Sequence, residues 1–456
     1  MCGEMKAPKI LVKPPGPRTK KIIERINQSV EVPFWTRKVA IREVIPKRAE
    51  GAWIEDADGN IYLDFLSNHS VTNIGWHHPQ VVEACKQQLD RVMVGFFEVT
   101  CLHVRLLKKL AEITPGDFDK CVFLGLSGAD ANDCAVRLAR WSTRRPYVIG
   151  FAGGFHGSTY CSLTLTAVGR TRRKGYYPLV PGIVHMPFPY CYRCPFKLKY
   201  PECDLQCLRY IEEYVFKTFL PPEDVAAVVV EPIQGHAGWI VPPDSYLPEL
   251  KRMCEDHGIL FVAEEVQTGF GRTGKMFACE NWKIQPDIII LGKAIASGMP
   301  MSAYVAKAEI AQPKDREFPF FHNFSLGANP ISCAAALATI KVIQEEKLVE
   351  NAARIGDYLM KRFEEIKEEH RIIGDVRGKG LMIGVELVKD KETKKPATNE
   401  AERVCRKAYK KGLVLIPGGI YESVLRISPP LIITEEEADI GFDIIEESIS
   451  EVERGN

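Results

Sequence analysis

Three short runs constrain this chain more than any other feature: Val225–Val230 (VAAVVV), Ile259–Ala263 (ILFVA) and Asp287–Leu291 (DIIIL). Each is apolar or small at nearly every position, the habit of strands buried on both faces of a parallel sheet. Parallel neighbours need a crossover of a dozen or more residues, and these runs start 34 (225 to 259) and 28 (259 to 287) residues apart. In the first gap Asp244 opens a helical pattern that stops at Gly258, an acid where an N-cap belongs and a glycine where a helix ends. Cys121–Leu126 and Tyr147–Phe151 read as further parallel strands, so about Val81 to Ile340 carries the rhythm of βαβ units.

Beyond Glu345 the pattern changes to long charged helices (KLVENAARIGDYLMKRFEEIKEEH) and then to strand-like GLMIGVELV and VLRISPPLII. The expectation is an α/β chain of two domains: a large one over residues 76–340, with helices on both faces of a mainly parallel sheet, and a smaller α+β one over 341–456. Residues 1–75 join the smaller domain through WIEDADGNIYLDF, behind a Pro- and Lys-rich arm of about 20 residues.

Lys plus Arg (60) nearly cancels Asp plus Glu (59), so no global field recruits nucleic acid or an anionic membrane. No apolar run reaches the ~20 residues of a membrane helix, and MCGEMKAPKILVKPPGPRTKK has no leader-like apolar stretch. A soluble, cytoplasmic protein that meets small molecules or its own copy is expected. Of 14 cysteines, Cys134, Cys254 and Cys333 sit in apolar helical patterns as core residues. Cys191-x2-Cys194-x8-Cys203-x3-Cys207 is open to three readings, a metal site, local disulfides or plain thiols, and none is expected to be the chemistry.

The strand ends carry that chemistry. Val225–Val230 runs into Glu231-Pro-Ile-Gln-Gly-His236, Ile259–Ala263 into Glu264-Glu265-Val266-Gln267, and Asp287–Leu291 into Gly292-Lys293. Carboxyl ends of a parallel sheet line its ligand crevice, so acid, amide, histidine and lysine should converge there. Upstream, Ser127-Gly128-Ala129 opens a helix whose N–H groups can hold a phosphate, and Phe155 stands in a glycine-flanked turn as an aromatic plate. A phosphate cup, a plate, an acid and a lysine together suit pyridoxal phosphate: the lysine forms a Schiff base and the acid keeps the pyridine nitrogen protonated.

With these motifs the chain resembles the class III, or ω-family, pyridoxal-phosphate aminotransferases of fold type I over nearly everything after residue 30. The resemblance implies that Lys293 in LGKAIASGMP binds the cofactor, Glu264 faces the ring nitrogen, Gln267 faces the ring hydroxyl and Phe155 stacks on the ring. It implies that Gly128 and Ala129 hold the phosphate and that Ser325 in HNFSLGANP reaches it from the partner subunit of a homodimer. Arg426 in LRISPP takes the α-carboxylate position, with Glu231 also assigned to the substrate and no metal in the site. The family normally has aspartate where Glu264 stands, one methylene shorter.

Two departures bear on the reaction. Many ω-aminotransferases have arginine where Ser158 stands and glutamate where His236 stands, the pair that manages two substrates. The wording LSGADAND, FHGSTY and GANPISCAAA is instead similar to the amino acid racemases and epimerases of this fold, which usually place aspartate at position 236. His236 can serve as a second acid/base opposite Lys293, or simply shape the pocket. The reading favours a racemase or epimerase acting on neutral or moderately polar α-amino acids. An ornithine- or 4-aminobutyrate-type aminotransferase is the alternative, and a non-catalytic pyridoxal-phosphate binder a distant third. His156 reads as a local hydrogen-bonding residue, His69 as a pocket wall, His322 as weaker still, and Phe34 and Trp35 as pocket-lining candidates.

Overall fold

The computed structural model describes residues 8–29, 43–95, 100–117, 119–169, 172–322 and 324–455, which leaves Phe34 and Trp35 outside the described residues. The chain divides into two compact units, one of Pro79–Val349 and one that joins Met1–His78 to Glu350–Asn456.

The second of these holds the helix Pro17–Ser29, whose first turn falls in the stretch of about 20 residues expected to be an arm; the Asp58 carboxylate accepts the N–H groups of Arg18 (2.8 Å) and Thr19 (2.9 Å) in that turn. Strands β1 (Pro46–Glu50), β2 (Trp53–Asp56) and β3 (Ile61–Asp64) then form an antiparallel ladder.

The Pro79–Val349 unit holds seven strands: β4 (Lys120–Gly125), β5 (Tyr147–Phe151), β6 (Ile183–Met186), β7 (Val225–Val230), β8 (Leu260–Glu264), β9 (Ile288–Leu291) and β10 (Ser302–Lys307). Their order is β4-β10-β9-β8-β7-β5-β6. The run β6-β5-β7-β8-β9 is parallel throughout. The expectation of a parallel partner for Cys121–Leu126 is corrected: among the described residues β4 pairs with β10 alone, which is antiparallel to it and to β9. SAYVAK was not read as a strand because its alternation is masked by small residues that are buried on both faces. The crossover helix between β7 and β8 spans Tyr246–Asp256, and its Ser245 N-cap makes no side-chain cap bond, so Asp244 is not the cap.

Back in the unit of Met1–His78 and Glu350–Asn456, β11 (Ile373–Lys379), β12 (Met382–Asp390), β15 (Ile416–Gly418) and β16 (Val424–Ile427) form an antiparallel sheet, with β13 (Lys395–Pro396) on β12, while β14 (Leu413–Val414) pairs parallel with β3. Immediately after β3 four successive non-glycine residues, Ser67, Asn68, His69 and Ser70, have φ of 48°, 46°, 59° and 66°. A left-handed turn of L-residues costs roughly 1–2 kcal/mol per residue, with Asn the most tolerant. Such strain persists only where the surroundings over-determine it.

Candidate active site

Eight of the ten residues singled out for cofactor and substrate, Gly128, Ala129, Phe155, Glu231, His236, Glu264, Gln267 and Lys293, line one cavity at the carboxyl ends of β4, β5, β7, β8 and β9. Ser325 is not among the lining residues; it lies exposed in the turn before the helix Pro330–Glu345. Arg426 belongs to the other unit, on β16, where its Nη2 lies 3.3 Å from His69 Nδ1.

Alternation along β8 separates two neighbouring carboxylates. Glu265 turns into the protein, where its oxygens accept Thr268 Oγ1–H (2.5 Å), Ala278 N–H (2.8 Å) and Cys279 N–H (2.7 Å) and so hold the loop that follows. Glu264 turns toward the cavity: its Oε1 accepts Val266 N–H at 2.7 Å and its Oε2 meets His156 Nδ1 at 3.2 Å, both residues buried. At the end of β7, Glu231 accepts Phe155 N–H and Gly235 N–H, each at 2.8 Å, with its two oxygens. Glu231 thereby fixes the backbone of the aromatic plate and of the loop that carries His236.

His156, Glu231 and Glu264 each present an atom within 4.8 Å of the other two. Burial works against the charged imidazole, but the hydrogen bond to Glu264 and the charges of Glu264 and Glu231 outweigh it and hold His156 above its ordinary range. Burial, reinforced by the charge of Glu264, pushes Glu231 up to about 7 against the pull of His156 and the two backbone N–H groups. All four oxygens of Glu231 and Glu264 therefore already have a hydrogen-bonding neighbour.

The stretch expected to cup a phosphate is the start of the helix Gly128–Thr143. Ser127 and Asp130 form a capping box, and Asp130 also accepts Leu126 N–H (2.9 Å) and Ser302 Oγ–H (2.8 Å), which leaves the Gly128 and Ala129 end facing the cavity. A Cβ on Gly128 would stand 2.9 Å from Val266 Cγ1, so only glycine lets Val266 close the cup. Two buried polar atoms on the lining lack partners, Gln267 Nε2 and Asn132 Oδ1. Buried polar groups rarely stay unpaired, so these fit a bound group with polar substituents.

Lys293 follows β9 through Gly292 with φ of 45°, a strained backbone for a lysine. His236 stacks on Phe155, ring centroids 3.9 Å apart at 23°, and Arg172 Cζ lies 5.0 Å from the same ring centroid. The residues of this donor set fit pyridoxal phosphate: an anion cup, a plate, a buried acid beside an imidazole, an unpaired amide and a lysine.

Sequence reasoning missed the place of His156 and of Asn132, Gly157 and Val266 on the cavity wall. The adjacency Phe155-His156 was a usable signal, since the turn that exposes a plate on one side points the next residue to the buried side. Elsewhere, Cys191, Cys194, Cys203 and Cys207 line a separate small cavity as free thiols. Burial and the neighbouring thiols push Cys191 to about 11 and Cys207 to about 12. His322 is locked between Tyr304 Oη (2.9 Å) and Leu124 O (2.8 Å), where burial lowers its pKa.

The family described as aminotransferase class-III matches residues 35–449. The chain is 42% identical to an alanine/serine racemase of Pyrococcus horikoshii, with 99% of this chain and 94% of the relative covered. It is 41% identical to a leucine/methionine racemase of Thermococcus litoralis (96% and 97% covered) and 35% identical to a probable 4-aminobutyrate aminotransferase of Bacillus subtilis (88% and 91%). Among solved structures, a Bacillus anthracis aminotransferase superposes with a TM-score of 0.88 at 32% identity, covering 95% of this chain and 99% of that one.

Proposed function

We propose that this chain, which belongs to the aminotransferase class-III family and is a pyridoxal-phosphate enzyme, is an amino acid racemase or epimerase. The observation that carries the reading is a second proton carrier on the cavity wall: His236 lines the same cavity as Lys293. Two relatives of more than 40% identity are racemases by name, which supports it.

Pyridoxal phosphate, when bound, supplies an electron sink for a carbanion at the amino acid's Cα. Lys293 would hold it covalently and, once the substrate's amino group had displaced its amine, would carry the Cα proton on one face. The carboxylate of Glu264, paired with His156, keeps the pyridine nitrogen protonated, and Gln267 Nε2 offers the donor for the ring hydroxyl. Gly128 and Ala129 present helix N–H groups to the phosphate. Glu231 positions Phe155 and the His236 loop rather than spending its carboxylate on the substrate, whose own carboxylate the family resemblance assigns to Arg426. His236, by its imidazole, gives or takes the proton on the opposite face. The exposed Ser325 turn is proposed to complete the phosphate site of a second copy, in a cytoplasmic homodimer. Among the described residues no helix is long and apolar enough to cross a membrane.

One observation favours the aminotransferase reading: the close stacking of His236 on Phe155 is also what a pocket-shaping ring would do. The test is a single enantiomer incubated with holoenzyme without keto acid, where loss of optical rotation supports racemisation. Rotation that holds steady, with rapid amino transfer once 2-oxoglutarate is added, overturns it.

A further inference from the structure

The connection from β6 to β7 opens with Pro189–Cys207, a segment that joins no sheet and holds only single helical turns. A stretch of this length without regular structure is uncommon inside a compact unit and points to function. Its four cysteines fall in two close pairs, Cys191-x2-Cys194 and Cys203-x3-Cys207, spacings that structural thiolate sites use. The backbone gives each pair a common side. Cys191–Arg193 is a 3-10 turn, in which side chains three apart eclipse, so Cys194 follows Cys191 in direction. Between Cys203 and Cys207, Asp204 and Leu205 stand at φ of 44° and 51°. That left-handed reversal, which L-residues hold only where the surroundings impose it, lets the short helix Gln206–Arg209 present Cys207 to the same cavity as Cys203.

All four cysteines line one cavity of about 20 Å³, room for a single ion or water and for no organic ligand. Apart from Pro243, every lining residue belongs to Pro189–Cys207, and none is charged. Sulfur suits a soft cation better than water, whose two to four polar partners a wall made chiefly of thiols, prolines, rings and leucines supplies poorly. Cys191 is exposed, Cys194 and Cys203 are half-buried and Cys207 is buried, so the group is open on one side to an arriving ion. Among the described residues no three of these sulfurs lie within 4.8 Å of one another. A step between staggered χ1 wells carries a cysteine sulfur about 3 Å, the reach by which the thiols would close on an ion between them. Charge agrees: Arg193, Lys197, Lys199 and Arg209 stand against Glu202 and Asp204, a net positive surround for the dianion that four thiolates make with a divalent ion.

We propose that Cys191, Cys194, Cys203 and Cys207 form a tetrahedral site for one Zn²⁺ ion, separate from the Lys293 cavity, that staples the connection between β6 and β7. Binding takes up the ion and releases the four thiol protons to solvent, with nothing oxidised or reduced. Four sulfurs close the ion's coordination shell, so the site is structural and adds no step at Cα.

The test is elemental analysis of the untagged, full-length holoprotein, loaded with Zn²⁺ under reducing conditions and passed through gel filtration into metal-free buffer. Wild type should retain one zinc per chain, and Cys101→Ser, at an exposed thiol outside the segment, should retain it too. The double variant Cys191→Ser, Cys194→Ser should lose the zinc and melt at a lower temperature, yet keep the visible band of bound cofactor and its turnover, since neither residue lines the Lys293 cavity. If the double variant does not fold, zinc X-ray absorption on wild type answers in its place, with four sulfur neighbours at about 2.3 Å expected. Wild type without zinc, zinc retained in full by the double variant, or nitrogen and oxygen neighbours in the spectrum overturns the site. Iron in place of zinc overturns it as well, and so does an intact mass short by two hydrogens for each cysteine pair, the mark of disulfides.

Discussion

The lined cavity of the Pro79–Val349 unit, its cradle, and the His69–Arg426 corner of the other unit are built by opposite means. In the cradle the secondary structure is ordinary, buried parallel strands ending in polar loops, and the unusual element is charge: two buried carboxylates and an imidazole within 4.8 Å of one another. In the corner the side chains are ordinary, one arginine and one histidine, and the unusual element is backbone, four left-handed residues in a row. Charge clusters can be tuned by single substitutions, whereas a strained turn depends on every bond that anchors it.

The largest effect should come from the cradle. Lys293→Ala should abolish the visible band of bound cofactor and all turnover, since no other lining residue supplies an amine. Glu264→Ala should lower turnover on the order of a hundredfold, the scale of a lost electrostatic partner. Glu264→Asp should stay within about tenfold, because it keeps the charge at slightly different reach. Equal rates for the three proteins would place the acid away from the ring. His236→Ala should slow racemisation by about a hundredfold, the scale of one acid/base group, and slow any amino transfer much less; both are read from the same reaction by polarimetry and keto-acid assay.

The corner should respond differently to its supports. Ser67→Ala removes the bond to Ser428 O and should destabilise the protein by roughly 1 kcal/mol, visible as a lower melting temperature. If cradle variants lower melting temperature more than this while sparing turnover, the contrast between charge and backbone is wrong.

The smallest effect is one of pH. Glu231 is pushed up to about 7 and His156 is raised, so both bind more protons folded than unfolded. The stability each contributes is present on the acid side, below the unfolded pKa, and is lost as pH rises through the folded value. The cofactor-free protein should therefore lose melting temperature as pH rises from about 4.5 through about 7, with His156 extending the loss above its ordinary 6.5, and His156→Asn should flatten that upper part. A His156→Asn protein with the wild-type pH profile would remove the cluster from the account.

The same contrast explains what could be read from sequence. The strands ending at Val230, Ala263 and Leu291 were legible because continuous apolar runs have few alternatives, and the residues after them follow from the rule that ligands bind at carboxyl strand ends. The sheet's antiparallel strand β10 was not, because Ser302-Ala303 and Ala306-Lys307 carry little β signal and their place is set by tertiary burial. His156 was placed near the site but not against Glu264, since side-chain direction in a turn depends on φ that sequence does not print. The left-handed turn at Ser67–Ser70 contains no glycine, the strongest local sign of positive φ, and is tied to Ser428, 361 residues from Ser67.

The central claim is that this cradle moves a proton between the two faces of Cα. Its most direct test is one enantiomer of a neutral amino acid incubated with holoenzyme in deuterium oxide without keto acid. The account predicts that deuterium enters Cα while optical rotation decays to zero, and that His236→Ala slows the decay of rotation. Deuterium entering with rotation fully retained would mean that the proton leaves and returns on the Lys293 face alone, and would contradict it.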